Sequence, residues 1–147
     1  MASTLTSILV HVTFSTKGRV DLIAPDHERD LYDYIGGICR RMSSPVLAIG
    51  GTANHLHLLV SLSKTMALAD LMMELKRDSS KMMKHKVPVF QWQDGYFGFS
   101  IGQSGVDQLK RYIADQKAHH REVDFMGEVR LLCRKYEVEL DDRYAWD

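Results

Sequence analysis

Residues 5–14 alternate: Ile8, Val10, Val12 and Phe14 fall on one side, Ser7, Leu9, His11 and Thr13 on the other. A period of two predicts a first, half-buried strand, which Ser15-Thr16-Lys17-Gly18-Arg19 ends in a basic loop. Pro25 fits the first turn of a helix, and Leu31, Tyr34, Ile35 and Ile38 keep helical spacing through to Arg40-Arg41. Gly36-Gly37 costs that helix about 1 kcal/mol per glycine, so close packing is expected there. Ser44-Pro45 stops it, and Val46-Leu47-Ala48-Ile49 predicts a second strand. After Gly50-Gly51 comes Asn54-His55-Leu56-His57-Leu58-Leu59-Val60, a third strand that forms a hairpin with the second. Side chains alternate along a strand, so His55 and His57 share one face while Leu56, Leu58, Val60 and Leu62 line the other.

Thr65 is a candidate cap for a second helix, with Leu68, Leu71, Met72, Leu75 and Met82 as its apolar stripe. Arg77, Lys81 and Lys84 recur on a different face beside Ser79-Ser80. Such a basic stripe serves equally as a phosphate-binding surface or as a solvated face. Lys86-Val87-Pro88 closes the helix, Trp92-Gln93-Asp94-Gly95 turns, and Tyr96 to Ile101 predicts a fourth strand. Ser104-Gly105-Val106-Asp107 has capping-box spacing and opens a helix that buries Val106, Leu109 and Ile113. Tyr112 and Gln116, four residues apart, share a face of that helix. A last amphipathic helix runs from Phe125 to Cys133, and the end is irregular and acidic, with Tyr136, Tyr144 and Trp146.

The order β-α-β-β-α-β-α predicts an α+β fold, a ferredoxin-like (βαββαβ) antiparallel sheet with an additional C-terminal helix. Helices on one face would leave the other open for the two histidines. A chain of 147 residues, 45% apolar and 26% charged, is expected to form a single domain over 1–147. No apolar run approaches a membrane span and no signal core opens the chain, so a cytoplasmic location is expected. Cys39 and Cys133 lack metal-like spacing and are read as reduced, buried thiols. Formal net charge is zero, yet residues 122–147 set eight carboxylates against four cations, which leaves a basic body with an acidic tail.

Two strand imidazoles are half of a site for a divalent transition ion. An ion held by His55, His57 and the amide oxygen of Gln116 would polarise a phosphodiester, and Tyr112 would stand beside it as nucleophile. Taken one by one, the same residues also fit a half-exposed strand face, a packing tyrosine and a surface amide.

Several motifs in one order decide between these. Phe14-Ser15-Thr16-Lys17-Gly18-Arg19, Asn54-His55-Leu56-His57-Leu58-Leu59-Val60, Leu75-Lys76-Arg77 with Ser79-Ser80-Lys81, Trp92-Gln93-Asp94-Gly95-Tyr96 with Phe99-Ser100, and Tyr112-Ile113 with Gln116 and His119-His120 span nearly the whole chain. In that order they resemble the single-tyrosine HUH transposases of small bacterial insertion sequences and the related transposases associated with repetitive extragenic palindromes. The resemblance implies cutting and rejoining of single-stranded DNA, with Tyr112 catalytic through a 5′-phosphotyrosine and His55, His57 and Gln116 holding Mg²⁺ or Mn²⁺. It implies DNA hairpins as substrate and a homodimer as the assembly. Lys17, Arg19, Lys76, Arg77, Ser80, Lys81 and Lys84 are the expected DNA-binding residues. The opposing expectation is a domesticated relative that binds single-stranded nucleic acid without cutting it. A rolling-circle replication initiator is disfavoured, since those proteins usually carry further domains.

Overall fold

The computed structural model describes residues 3–147. Its elements are β1 (Leu9–Ser15), α1 (Pro25–Arg41), β2 (Val46–Gly51), β3 (His55–Ser61), α2 (Leu68–Lys84), β4 (Phe97–Ile101), α3 (Val106–Ala114), α4 (Gln116–His119) and α5 (Phe125–Lys135). The sheet runs in the order β2-β3-β1-β4 with every pair antiparallel, the arrangement predicted for a ferredoxin-like fold. Strand parity decides what each face carries. Val10, Val12 and Phe14 of β1 pair with Val60, Leu58 and Leu56 of β3, and all six pack against Leu31, Ile35 and Ile38 of α1 and Leu71, Met72 and Leu75 of α2. That is the main core.

The opposite face is not open, as the topology alone suggested. There Leu9 and Leu59 meet Val106, Leu109 and Ile113 of α3, while Phe99 meets Phe125, Val129 and Cys133 of α5. The sequence places apolar residues at helical spacing in both segments, and only this side of the sheet remains to bury them. His11, His55 and His57 are consequently buried beneath helices. Gly50 permits the close seating of α3: a Cβ there would lie 2.5 Å from the Ile113 carbonyl oxygen. The end of the chain folds back too. Trp146 packs on Phe97 and Phe125, and Gln93 Nε2 donates to the Ala145 carbonyl.

Several local expectations are corrected. Tyr34 is exposed, and Tyr32 is the α1 tyrosine that packs on the core. Gly36 and Gly37 have open space around their Cα atoms, so no close approach requires them. Thr65 bonds Ser63 rather than capping α2, whose N-cap is Ala67. Ser104 lies in a short 3-10 turn, and α3 starts from Gly105 with no side-chain cap. Tyr112 and Gln116 do not share one unbroken helix, because Asp115, at φ −94° and ψ 14°, separates α3 from α4. Cys39 and Cys133 are buried free thiols, as expected. Among the described residues, no helix is long and apolar enough to cross a membrane.

Candidate active site

β1 and β3 set the floor of the site through their register. Thr13 stands opposite His57 and Ser15 opposite His55, so His11, Thr13, His55 and His57 project from one side. The hairpin turn fixes the first imidazole: His55 Nδ1 lies 2.8 Å from Asn54 Oδ1 and 2.9 Å from Thr52 Oγ1. Asn54 Oδ1 can only accept, so Nδ1 carries the hydrogen and Nε2 turns a lone pair inward, the tautomer a metal ligand needs. His57 is held through its Nδ1, 2.8 Å from His11 Nε2.

The helices bring the remaining groups. Gln116 Oε1 lies 3.0 Å from His55 Nε2. Glu128 of α5 reaches the middle of the cluster with 1% of its surface exposed, and its two oxygens face different partners. Oε1 lies 2.8 Å from His57 Nε2, 2.9 Å from His120 Nε2 and 3.6 Å from His55 Nε2. Oε2 accepts from the Tyr112 hydroxyl and, at 3.1 Å, from Gln116 Nε2. The structure thus brings His55, His57, Tyr112 and Gln116 together, with Glu128 and His120 between them.

Glu128 and His120 were missed as site residues by sequence reasoning. Glu128 counted only as one more charge in an acidic tail, although it falls on the buried stripe of α5 with Phe125, Val129 and Cys133. A lone carboxylate within such a stripe was the available signal.

Electrostatics favours a cation here. Burial pushes the His55 imidazole down to about 3, helped by His57 and His120, and burial beside His57 does the same to His11. Both rings are therefore neutral at pH 7, and His55 can serve as a neutral ligand. Burial alone would raise the Glu128 carboxyl, but hydrogen bonds from His120, His57 and Tyr112 hold it well below the usual carboxylate range. Glu128 is a single carboxylate among imidazoles, a mixed donor set that a cation would complete. Ligand atoms of His55, His57, His120 and Glu128 all lie within 4.8 Å of one another. His119 Nε2 adds a buried nitrogen with no hydrogen-bond partner. Imidazole and carboxylate donors gathered this tightly fit a divalent transition ion. Tyr112 is raised above its ordinary value by burial and by Glu128, so its oxygen is protonated at rest.

The basic residues divide by environment. Lys76 uses its ammonium on three carbonyls, those of Gln93, Asp94 and Gly95 at 2.6–2.9 Å, and burial pushes its pKa down to about 8. It braces the 93–95 turn from the cleft it lines with Arg77 and Ser80. Lys17 pairs with Asp94 at 3.7 Å, Arg77 with Asp78 at 3.1 Å, and Arg19 donates to the Trp146 carbonyl. Lys81 and Lys84 stand exposed further along α2. Arg77 and Ser80 line a cleft of about 450 Å³ with Trp92 and Tyr96.

Comparison with known proteins places this chain among the transposases. The chain belongs to the IS200-like transposase family, whose model matches residues 4–116, and so to enzymes that cut and rejoin DNA. The fold is similar to that of a candidate transposase from Deinococcus radiodurans R1, at 18% identity and a TM-score of 0.64 over 79% of this chain and 95% of that one. It is also similar to a REP-associated tyrosine transposase solved bound to a REP hairpin, at 16% identity and a TM-score of 0.62 over 84% of this chain and 74% of that one. Comparison with curated protein sequences gives no match. Glu128 lies beyond the span that the family model covers.

Proposed function

We propose that this transposase cuts and rejoins single-stranded DNA at hairpin-marked ends, with Tyr112 as nucleophile. One observation carries the reading: a single buried carboxylate joins the Tyr112 hydroxyl to the imidazoles of β3. The Tyr112 oxygen attacks the phosphorus of a phosphodiester, and a bond forms between them as the bond to the 3′-oxygen breaks. A 5′-phosphotyrosine and a free 3′-hydroxyl result. Glu128 Oε2 already accepts the Tyr112 hydrogen and is the place for the proton to go; the departing 3′-oxygen takes one from solvent. Strand transfer reverses these steps with a second 3′-hydroxyl, and no nucleotide cofactor is consumed.

His55, His57, His120 and Glu128 would hold Mg²⁺ or Mn²⁺, with Gln116 in reach of the same point. When bound, the ion supplies positive charge to the phosphate oxygens. Three imidazoles suit Mn²⁺ better than Mg²⁺. His11 and Asn54 act through the rings they orient. Arg19, Arg77, Ser80, Lys81 and Lys84 would track hairpin phosphates, Arg77 and Ser80 from the cleft beside Trp92, and Lys17 would join them from Asp94. A homodimer would present two such centres.

The test uses labelled single-stranded DNA containing the hairpins that flank the reading frame. Wild type should yield a covalent protein–DNA adduct and Tyr112→Phe none, with hairpin binding kept within about threefold, since the hydroxyl adds little affinity. An adduct formed by Tyr112→Phe removes Tyr112 from its role.

A further inference from the structure

Beside Tyr112 lies a cavity of about 290 Å³ that the bond-breaking chemistry leaves unused. Leu109 of α3 and Leu131 and Leu132 of α5 form an apolar wall. Tyr136 also lines it, its ring stacked on Phe99 with centroids 4.9 Å apart. Glu128 and His119 border the same space, so it is continuous with the candidate centre. Lys135 adds positive charge, its ammonium 5.4 Å from the centre of the Tyr136 ring. Leu131 is half in water, 51% exposed, at a position where α5 could carry a polar residue without loss.

We infer that this cavity receives the nucleobase of a nucleotide flanking the scissile phosphate. The inference rests on Tyr112 being the nucleophile, because a phosphate bonded to its oxygen leaves the attached sugar and base within one nucleotide of the cavity. The lining suits a planar base. The leucines and the rim of the Tyr136 ring, which Phe99 and Lys135 cover, form an apolar slot for its flat faces. Lys135 complements the next phosphate along the strand. A bare phosphate would need no leucine wall.

Equilibrium binding of 2-aminopurine deoxyriboside 5′-monophosphate to the full chain, read by base fluorescence, tests this without any cutting. Saturable quenching at millimolar or higher probe is expected, the weak affinity of one base held by an apolar slot and one ammonium. Leu131→Trp fills the mouth from a half-exposed position and should weaken the probe about tenfold or more, whereas Leu131→Ala should keep it within about threefold. In competition, dAMP and dTMP should displace the probe and 2-deoxyribose 5-phosphate should not. Absent quenching, equal quenching in Leu131→Trp, or equal competition by the sugar phosphate overturns the inference; the competition needs no variant to fold. A protein that forms the DNA adduct yet ignores the probe removes the cavity alone. Probe binding without any adduct would count against the cutting reaction instead.

Discussion

Replacing Glu128 by Gln keeps the shape of the side chain and deletes the one charge at the centre of the site. Without metal, two effects oppose each other. Charge-assisted hydrogen bonds from His57, His120, Tyr112 and Gln116 are weakened, while the cost of burying an anion is removed. Metal-free stability should therefore change by no more than about 1 kcal/mol. With metal the outcome is lopsided. Losing a ligand should weaken Mn²⁺ about 100-fold, the upper range seen even for residues that only orient ligands. At a Mn²⁺ concentration about 100 times the wild-type Kd, binding stabilises the wild type by about 2.7 kcal/mol. At 2–4 °C per kcal/mol for a chain of this size, the Tm rises by about 5–11 °C. The variant at that concentration sits near its own Kd and gains about 0.4 kcal/mol, a rise of about 1–2 °C. Thermal unfolding with Mn²⁺ and with EDTA measures both. An unchanged Mn²⁺-dependent rise in Glu128→Gln would refute the ligand role and leave the cluster a hydrogen-bond network.

Gly50→Ala should push α3 off β2, since the new methyl would meet the Ile113 carbonyl oxygen at 2.5 Å; overpacking costs about 1–3 kcal/mol, and adduct formation should slow about 100-fold as Tyr112 shifts. Wild-type Tm and rate together would sink that account. Metal-free protein should lose stability as pH falls from 6.5 towards 3, because His11 and His55 stay neutral when folded down to about 3 while the unfolded chain takes up protons from 6.5. Each contributes up to about 1.4 kcal/mol per pH unit within that window. Urea midpoints at pH 7, 5.5 and 4.5 read the slope, and a flat series would mean that the folded rings are charged. Arg77→Ala and Lys81→Ala should each lower hairpin affinity and flatten its log–log salt dependence by roughly 0.7. Salt series superimposable on wild type would return α2 to a solvated face.

The strands and the shared side of His55 and His57 were legible because period-two alternation survives translation into structure almost unchanged. Helix positions were legible for the same kind of reason, while their caps were not: Thr65 and Ser104 have the right chemistry, but tertiary packing starts α2 and α3 elsewhere. The covering of the histidine face escaped the reading because a βαββαβ pattern does not say where three later helices dock. The same gap hid Glu128. Its partners lie 71 residues away at His57 and 16 away at Tyr112, a distance no local spacing reports. The hydrogen bonds of Lys76 to carbonyls of a turn 17–19 residues on were hidden for a related reason.

The position of α5 also sets a clock. Synthesis runs from the N-terminus, so β1, β3 and α3 leave the ribosome before the helix that carries Glu128. On the proposed mechanism, a nascent chain holds Tyr112 and both strand imidazoles while it still lacks the carboxylate between them. Competence would then arrive when α5 closes over Phe99, which would tie the onset of DNA cutting to completion of the fold.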